Sequence, residues 1–242
     1  LIRLLRKISF LILRVIWSFF WRISFIVFLG MSIAVSYYYL GLKEFDSLLD
    51  ERSRGSVTLE NNKGEFFAWR GDNFSENLTA NNISPHLKNA VLATEDRRFY
   101  GHFGISLRGI ARAVYINLKE GRGPLSGHGG STITQQTAKL VCLGKTFRQS
   151  EWKSETAYEA SCRKSTVWRK LKEALYALSL EFKFSKDEIL TIYINRVFLG
   201  AGARGFEAAA QRYFAKSAKI LDPSEAAMLA GLLKAPTRYA PT

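Results

Sequence analysis

Three short stretches hold the residue types most able to do chemistry. In Thr94 to Gly104 (TEDRRFYGHFG), Glu95 and Asp96 stand side by side at the end of a helical pattern. A helix C-terminus disfavours negative charge, so the pair needs a reason to be there. Arg97 and Arg98 would serve as exposed counter-charges; general acid/base work is the alternative, with His102 bracing the same loop. In Arg169 to Glu173 (RKLKE), Arg169 and Glu173 are four apart and so neighbour each other on one helical face. A solvated ion pair accounts for that spacing, while the concentration of Arg169, Lys170 and Lys172 would equally grip a phosphate. Gly129 to Leu140 (GGSTITQQTAKL) opens with two glycines and a polar run. Thr132 and Gln135 have the spacing of a capping box, and a glycine-led helix N-terminus is also an anion site. The stretch by itself leaves both readings open.

The elements that must position these residues are mostly helical. Apolar Leu87, Ala90 and Val91 lead from Ser84-Pro85 into Glu95, and Leu107, Ile110, Ala111, Val114 and Leu118 repeat at helical spacing before Gly121. A glycine-rich loop over 121–130 then precedes the capping-box helix. Leu171, Leu175, Leu178 and Phe182 predict a helix over about 166–183. Ser185 with Glu188 predicts a capped helix through about Val197. A short alanine-rich helix follows at Phe206–Phe214. Asp222-Pro223-Ser224-Glu225 opens another through Leu233, which Pro236 and Pro241 keep from extending. Ahead of these, Ser56 to Arg70 reads as two short strands around an Asn-Asn-Lys-Gly turn, followed by a polar stretch over 71–82.

The bulk properties narrow the setting. Of 242 residues 47% are hydrophobic and 23% charged, which excludes wholesale disorder, and the formal charge is +14. The first 42 residues carry Arg3, Arg6, Lys7, Arg14 and Arg22 and no acid, leaving a surplus of nine positive charges in the remainder. A basic body points to an anionic partner without choosing it. Ile23 to Leu42 is a 20-residue run without a charge, enough to cross the roughly 30 Å bilayer core. Trp17, Trp21 and Tyr37 to Tyr39 flank it as interfacial aromatics. All nearby cations precede it, so the positive-inside rule puts the amino terminus in the cytoplasm and the rest outside. The length of the run and the absence of a small-x-small site before Glu44 favour an uncleaved anchor over a signal peptide. Cys142 and Cys162 lie outside any C-x-x-C spacing, which argues against zinc. An oxidising compartment would permit them to pair, and the sequence leaves this open.

Together the motifs resemble the peptidoglycan glycosyltransferases, the lysozyme-like domain of class A penicillin-binding proteins and monofunctional transglycosylases. Five stretches occur in the family's order: Glu95-Asp96-x-x-Phe99-x-x-His102-x-Gly104, then Gly130-Ser131-Thr132-Ile133-Thr134-Gln135-Gln136-x-x-Lys139, then Arg169-Lys170-x-x-Glu173. Lys186-x-x-Ile189-Leu190-x-x-Tyr193-x-Asn195 and Glu225-Ala226-x-x-Leu229-Ala230-Gly231 with Pro236 complete the set. The resemblance implies a mainly α, lysozyme-like bilobal domain over 85–242. A connector containing a little β structure (43–84) and a basic segment with a single transmembrane helix (1–42) precede it.

The resemblance further implies a membrane enzyme that polymerises lipid II into β-1,4 glycan strands with inversion. Glu95 would be the general base, and Glu173 a second essential glutamate that either orients basic residues or holds a divalent metal, Mg or Mn. Asp96, His102, Arg112, Ser131, Thr132, Gln136, Lys139, Arg169 and Lys170 would line the substrate site. Tyr193 and Asn195 would support the cleft. The implied partners are lipid II, the growing glycan strand, the cytoplasmic membrane and other cell-wall synthesis proteins, and not nucleic acid. Two departures stand out: Leu140 replaces the asparagine that usually follows the second motif's lysine, and the 144–168 segment is longer than usual. A wall-cleaving enzyme of the same fold and a non-catalytic anchored scaffold are the alternatives, the former leaving the basic set unexplained. The chain begins at Leu1 and stops where the resemblance ends. The expectation is a piece of a class A penicillin-binding protein rather than a monofunctional enzyme.

Overall fold

The computed structural model describes residues 2–50, 57–63, 66–70, 78–124, 126–127, 129–164 and 166–241. It is mainly helical behind one long apolar helix, the fold class the sequence implies. Helix α1 (Ile2–Gly41) is continuous, and its apolar stretch Leu13–Gly41 is the one helix among the described residues long and apolar enough to cross a membrane. That stretch starts earlier than the uncharged run, because Arg14 and Arg22 are carried on the same helix. A short helix α2 (Phe45–Asp50), which the sequence pattern did not suggest, follows. Strands β1 (Val57–Glu60) and β2 (Phe66–Arg70) pair antiparallel with Val57 opposite Arg70. Ser56, Gly64 and Glu65 of the expected hairpin, part of the polar stretch (71–77), and Leu125 and His128 of the glycine-rich loop lie outside the described residues.

The helices of the body are α3 (Pro85–Glu95), α4 (Leu107–Lys119), α5 (Ile133–Leu140), α6 (Glu155–Arg163), α7 (Val167–Lys183) and α8 (Lys186–Arg196). After them come α9 (Phe206–Phe214), α10 (Pro223–Leu232) and α11 (Pro236–Tyr239). Capping boxes start three of them: Thr132 with Gln135, Ser185 with Glu188, and Asp222 with Glu225. Each satisfies N-terminal backbone donors that no helical carbonyl can reach. Pro236 ends nothing by itself. It occupies the first turn of α11, where its missing N–H costs no hydrogen bond.

Helix α8 is the centre of the core. Ile189, Leu190, Ile192, Tyr193 and Ile194 are each at most 1% exposed. A helix buried on nearly all sides needs partners all round, and it finds α5, α7, α9 and α2. The connector is built into this core rather than hung from it. Leu48, Leu78, Ala80 and Ile83 are buried in the same cluster as Leu87, Ile133 and Leu180. Asn195 fixes it by accepting from the Leu78 N–H at 2.9 Å and donating to the Leu78 carbonyl at 2.7 Å.

Helix α7 joins the apolar helix to the motif residues. Along its later turns Ser179 donates to the Val35 carbonyl at 2.9 Å and Lys183 to the Leu42 carbonyl at 2.7 Å. The Tyr176 and Tyr38 rings meet edge to face at 5.5 Å. Its first two turns carry Arg169, Lys170 and Glu173.

Candidate active site

The second motif is held in place by a carboxylate. Asp96 is 8% exposed and accepts from the Ile133 N–H, the first of α5, at 3.2 Å. The anion at this helix N-terminus is therefore a side chain of the first motif, favoured there by the exposed amides and the helix dipole. His102 Nε2 lies 2.8 and 3.0 Å from the two Asp96 oxygens, so three groups lock the first motif onto the second. The Thr132 hydroxyl donates to the Gly104 carbonyl at 2.6 Å and accepts from the Gln135 N–H at 3.1 Å. At 1% exposure it has no surface for a ligand. Thr132, expected from the resemblance to line the substrate site, instead faces inward with its hydroxyl engaged in the cap, and it does not line the cavity around Gln136.

Gly130 explains one of the two glycines. A Cβ there would sit 2.7 Å from the Ile110 Cα, so only a residue without a side chain lets this loop pass against the α4 backbone.

One turn into α5, the chemistry faces the other way. Gln136 donates its amide to Glu95 Oε2 at 2.5 Å, and the Tyr193 hydroxyl lies 3.5 Å from the Gln136 carbonyl oxygen. Burial, with the Glu95 charge behind it, pushes the Tyr193 phenol well above its usual range. Gln136 also lines a cavity of about 560 Å³ together with Ser131, Lys139, Arg169, Lys170 and Glu173. Six of the residues singled out by sequence thus share one wall, and Glu95 is one hydrogen bond behind it. Arg112 is exposed on α4 and Asp96 and His102 brace the loop; none of the three lines this cavity.

The third motif is an ion cluster around a buried carboxylate. Glu173 is 2% exposed, receives Arg169 Nη2 at 2.5 Å on one oxygen and Lys170 Nζ at 3.0 Å on the other. Lys170 reaches across to the Ser131 hydroxyl at 2.5 Å, and Arg169 also donates to the Cys162 carbonyl. The solvated ion pair suggested by the spacing is instead an enclosed one, since α5 and the end of α6 cover it. Both Glu173 oxygens are taken by cations. No group of three metal-ligating side chains occurs among the described residues. The donor set around Glu173 therefore does not fit a resident divalent metal.

Sequence reasoning missed three charged residues of the cavity: Glu159, Arg196 and Arg204. Arg196 directly follows the fourth motif at the end of α8, and Arg204 lies in a turn whose Gly200, Gly202 and Gly205 all have positive φ. Neither position carries a spacing signal. Arg204 donates to Glu159 at 2.7 Å, a contact between α6 and that turn which only the fold brings about. Five cations and two carboxylates line the cavity, so its wall is net positive. Leu140 is on it too, and the long segment after it forms α6, pinned by a disulfide between Cys142 and Cys162.

Comparison with known proteins gives the family. Penicillin-binding protein 1A of Neisseria flavescens is 40% identical over 211 residues, covering 87% of this chain and 24% of the relative. The protein of the same name from Aquifex aeolicus (strain VF5) is 41% identical over 179 residues, 74% of this chain and 22% of the relative. That of Neisseria gonorrhoeae is 37% identical over 211 residues, 87% and 24%. The chain thus spans about a quarter of the length of the curated relatives it matches. The model of the transglycosylase family matches residues 63–242, from the hairpin turn through all five motifs. The chain belongs to the transglycosylase family.

Proposed function

We propose that this chain is a membrane-anchored peptidoglycan glycosyltransferase that lengthens glycan strands from lipid II. In this reading Glu95 takes the proton from the acceptor sugar's 4-hydroxyl as that oxygen attacks the donor's anomeric carbon. The new glycosidic C–O bond forms, and the bond to pyrophosphate breaks with its electron pair leaving on the lipid pyrophosphate. An α linkage becomes β in one displacement, and no protein nucleophile is needed. The observation that carries the reading is the double duty of α5. Through Gln136 it meets Glu95, and through Gln136 and Lys139 it joins the cationic cavity wall. A base on one side and a net positive pocket on the other suit a reaction whose leaving group is a pyrophosphate. A glycan hydrolase would instead need an acid to protonate its leaving oxygen, and gains nothing from five cations.

Glu173 in this reading is an organiser that holds Arg169 and Lys170 toward the phosphates. The apolar helix α1 keeps the site at the bilayer, with the amino terminus in the cytoplasm and the body outside. The cations that precede the uncharged run support that orientation, and the Cys142–Cys162 disulfide belongs to an oxidising compartment. The basic surplus of the body suits an anionic membrane surface.

The test is direct. Purified full chain in detergent, given labelled lipid II, is expected to form polymer, and Glu95→Gln is expected to form none. Near-normal polymer from the Gln variant overturns the role of Glu95. Release of fragments from finished peptidoglycan, with no polymer, overturns the reading in favour of a lytic enzyme.

A further inference from the structure

The chain between α5 and α7 has a small core of its own. Cys142, Tyr158 and Cys162 are buried together, with Phe147 and Trp152 packed on them, apart from the main core. The Tyr158 ring sits 5.8 Å from Phe147 and 5.7 Å from Trp152, and its hydroxyl donates to the Lys145 carbonyl at 2.6 Å. Among the described residues, the three buried side chains of this small core are few to hold a segment of this length firmly against the main body by apolar burial. At its start the backbone doubles back through Cys142 and Leu143, at φ 53° and 55°, which non-glycine residues adopt only when the surroundings enforce it. The disulfide spans this turn and the last turn of α6, with Cα atoms 5.3 Å apart. It is the covalent tie of a weakly cored segment to the end of the second motif.

That segment supplies two acceptors to the cavity wall. The Cys162 carbonyl receives Arg169, whose other terminal nitrogen is held by Glu173. One turn earlier on α6, Glu159 receives Arg204. Both guanidinium groups line the cavity, and Arg169 Nε is buried there without a hydrogen-bond partner. A guanidinium held by protein acceptors, Cys162 and Glu173 for Arg169 and Glu159 for Arg204, is preorganised to grip an anion, whereas one released from them must be ordered by the ligand.

We propose that the Cys142–Cys162 disulfide and the α6 acceptors Glu159 and Cys162 are positioning elements of the pyrophosphate-binding wall, holding Arg169 and Arg204 in their binding orientation. The inference rests on the cavity being a pyrophosphate site, and its readout is anion binding, not polymer formation. The probe is inorganic pyrophosphate, titrated into the full chain in detergent by calorimetry, with the fold followed by circular dichroism. Replacing both cysteines (C142S with C162S) is expected to weaken pyrophosphate about tenfold with the helical signal unchanged. Arg169→Lys is expected to cost a similar factor in the disulfide-bonded protein and little in the cysteine-free one, because the two changes remove the same interaction. Should the serine protein fail to fold, reduction of the folded wild type by dithiothreitol replaces it. That treatment is expected to lower the affinity, and reoxidation to restore it. Unchanged affinity without the disulfide, fully additive losses, or no pyrophosphate binding by the wild type each overturn the proposal. If the coupling appears and no polymer is ever made, the polymerase reading fails and this one stands. If polymer is made but affinity ignores the disulfide, only this one fails.

Discussion

The Gln136 amide donates to the Glu95 carboxylate at 2.5 Å, and with the bonds from Ile133 N–H to Asp96 and from Thr132 to Gly104 it joins the second motif to the first. The Tyr193 hydroxyl, 3.5 Å from the other end of the Gln136 amide, fixes which way that amide points: oxygen toward the phenol, nitrogen toward Glu95. Glu95 is thereby presented as an acceptor beside the cavity.

Removal of that donor therefore changes the reaction more than the fold. Gln136→Ala is expected to slow polymer formation about 10–100-fold, the value of one hydrogen bond to a charged group. Gln136→Glu is expected to be slower still, since it sets a second carboxylate against Glu95. Initial rates on labelled lipid II at saturating substrate decide it. Equal rates for wild type and both variants would remove Gln136 from the mechanism.

Glu173 is expected to show itself in stability. It is buried between Arg169 and Lys170, whose side chains are 15% and 51% exposed. Glu173→Ala leaves an enclosed guanidinium without its counter-charge, a loss of about 3 kcal/mol, at the low end for such pairs because Lys170 retains access to water. Glu173→Gln keeps the volume and is expected to lose less. Chemical denaturation measures both. Because both oxygens are occupied by cations, chelator and added Mg or Mn are expected to leave the wild-type midpoint where it is. A metal-dependent rise that Glu173→Gln abolishes would show that the ion cluster opens to hold a metal.

The parts of this arrangement that sequence made legible are those set by local rules. The capping boxes at Thr132 and Ser185 and the N-cap at Asp222 are short-range chemistry, and all three form. The helical period of Leu171 to Phe182 fixes α7 for the same reason. What stayed hidden is long-range. That Asp96 occupies the α5 N-terminus depends on two loops meeting, so the anion suggested by GGST turned out to be internal. Thr132 could be read as a cap or as a ligand contact until its burial separated the two. Arg204 and Glu159 are joined only by the path of α6, and the last turn of α6 is tied to Cys142 by a disulfide that spacing alone left undecided. Helix α2 is six residues long, too short for periodicity to signal it.

Tyr193 offers a test by pH. Its folded phenol stays protonated far above the usual value of 10.0, because burial and the Glu95 charge disfavour phenolate. In the unfolded chain the same group ionises near pH 10, so above that pH the unfolded state holds fewer protons than the folded one. Stability from this group is therefore complete below pH 10 and falls as pH rises toward the folded value, by about 1.4 kcal/mol per pH unit. Tyr100 and Tyr213, also raised by burial, and Lys88, raised by Tyr100 and Asp187, steepen the same alkaline limb. Tyr193→Phe keeps those contributions and removes its own. At pH 7 it is expected to cost less than about 1 kcal/mol, since the bond to Gln136 is long. From pH 10 to 11 the variant is expected to lose stability more slowly than wild type, so that the two denaturation midpoints converge or cross. Curves that stay parallel over that range would mean the phenol is not enclosed beside Glu95, and would take the orientation of Gln136 with it.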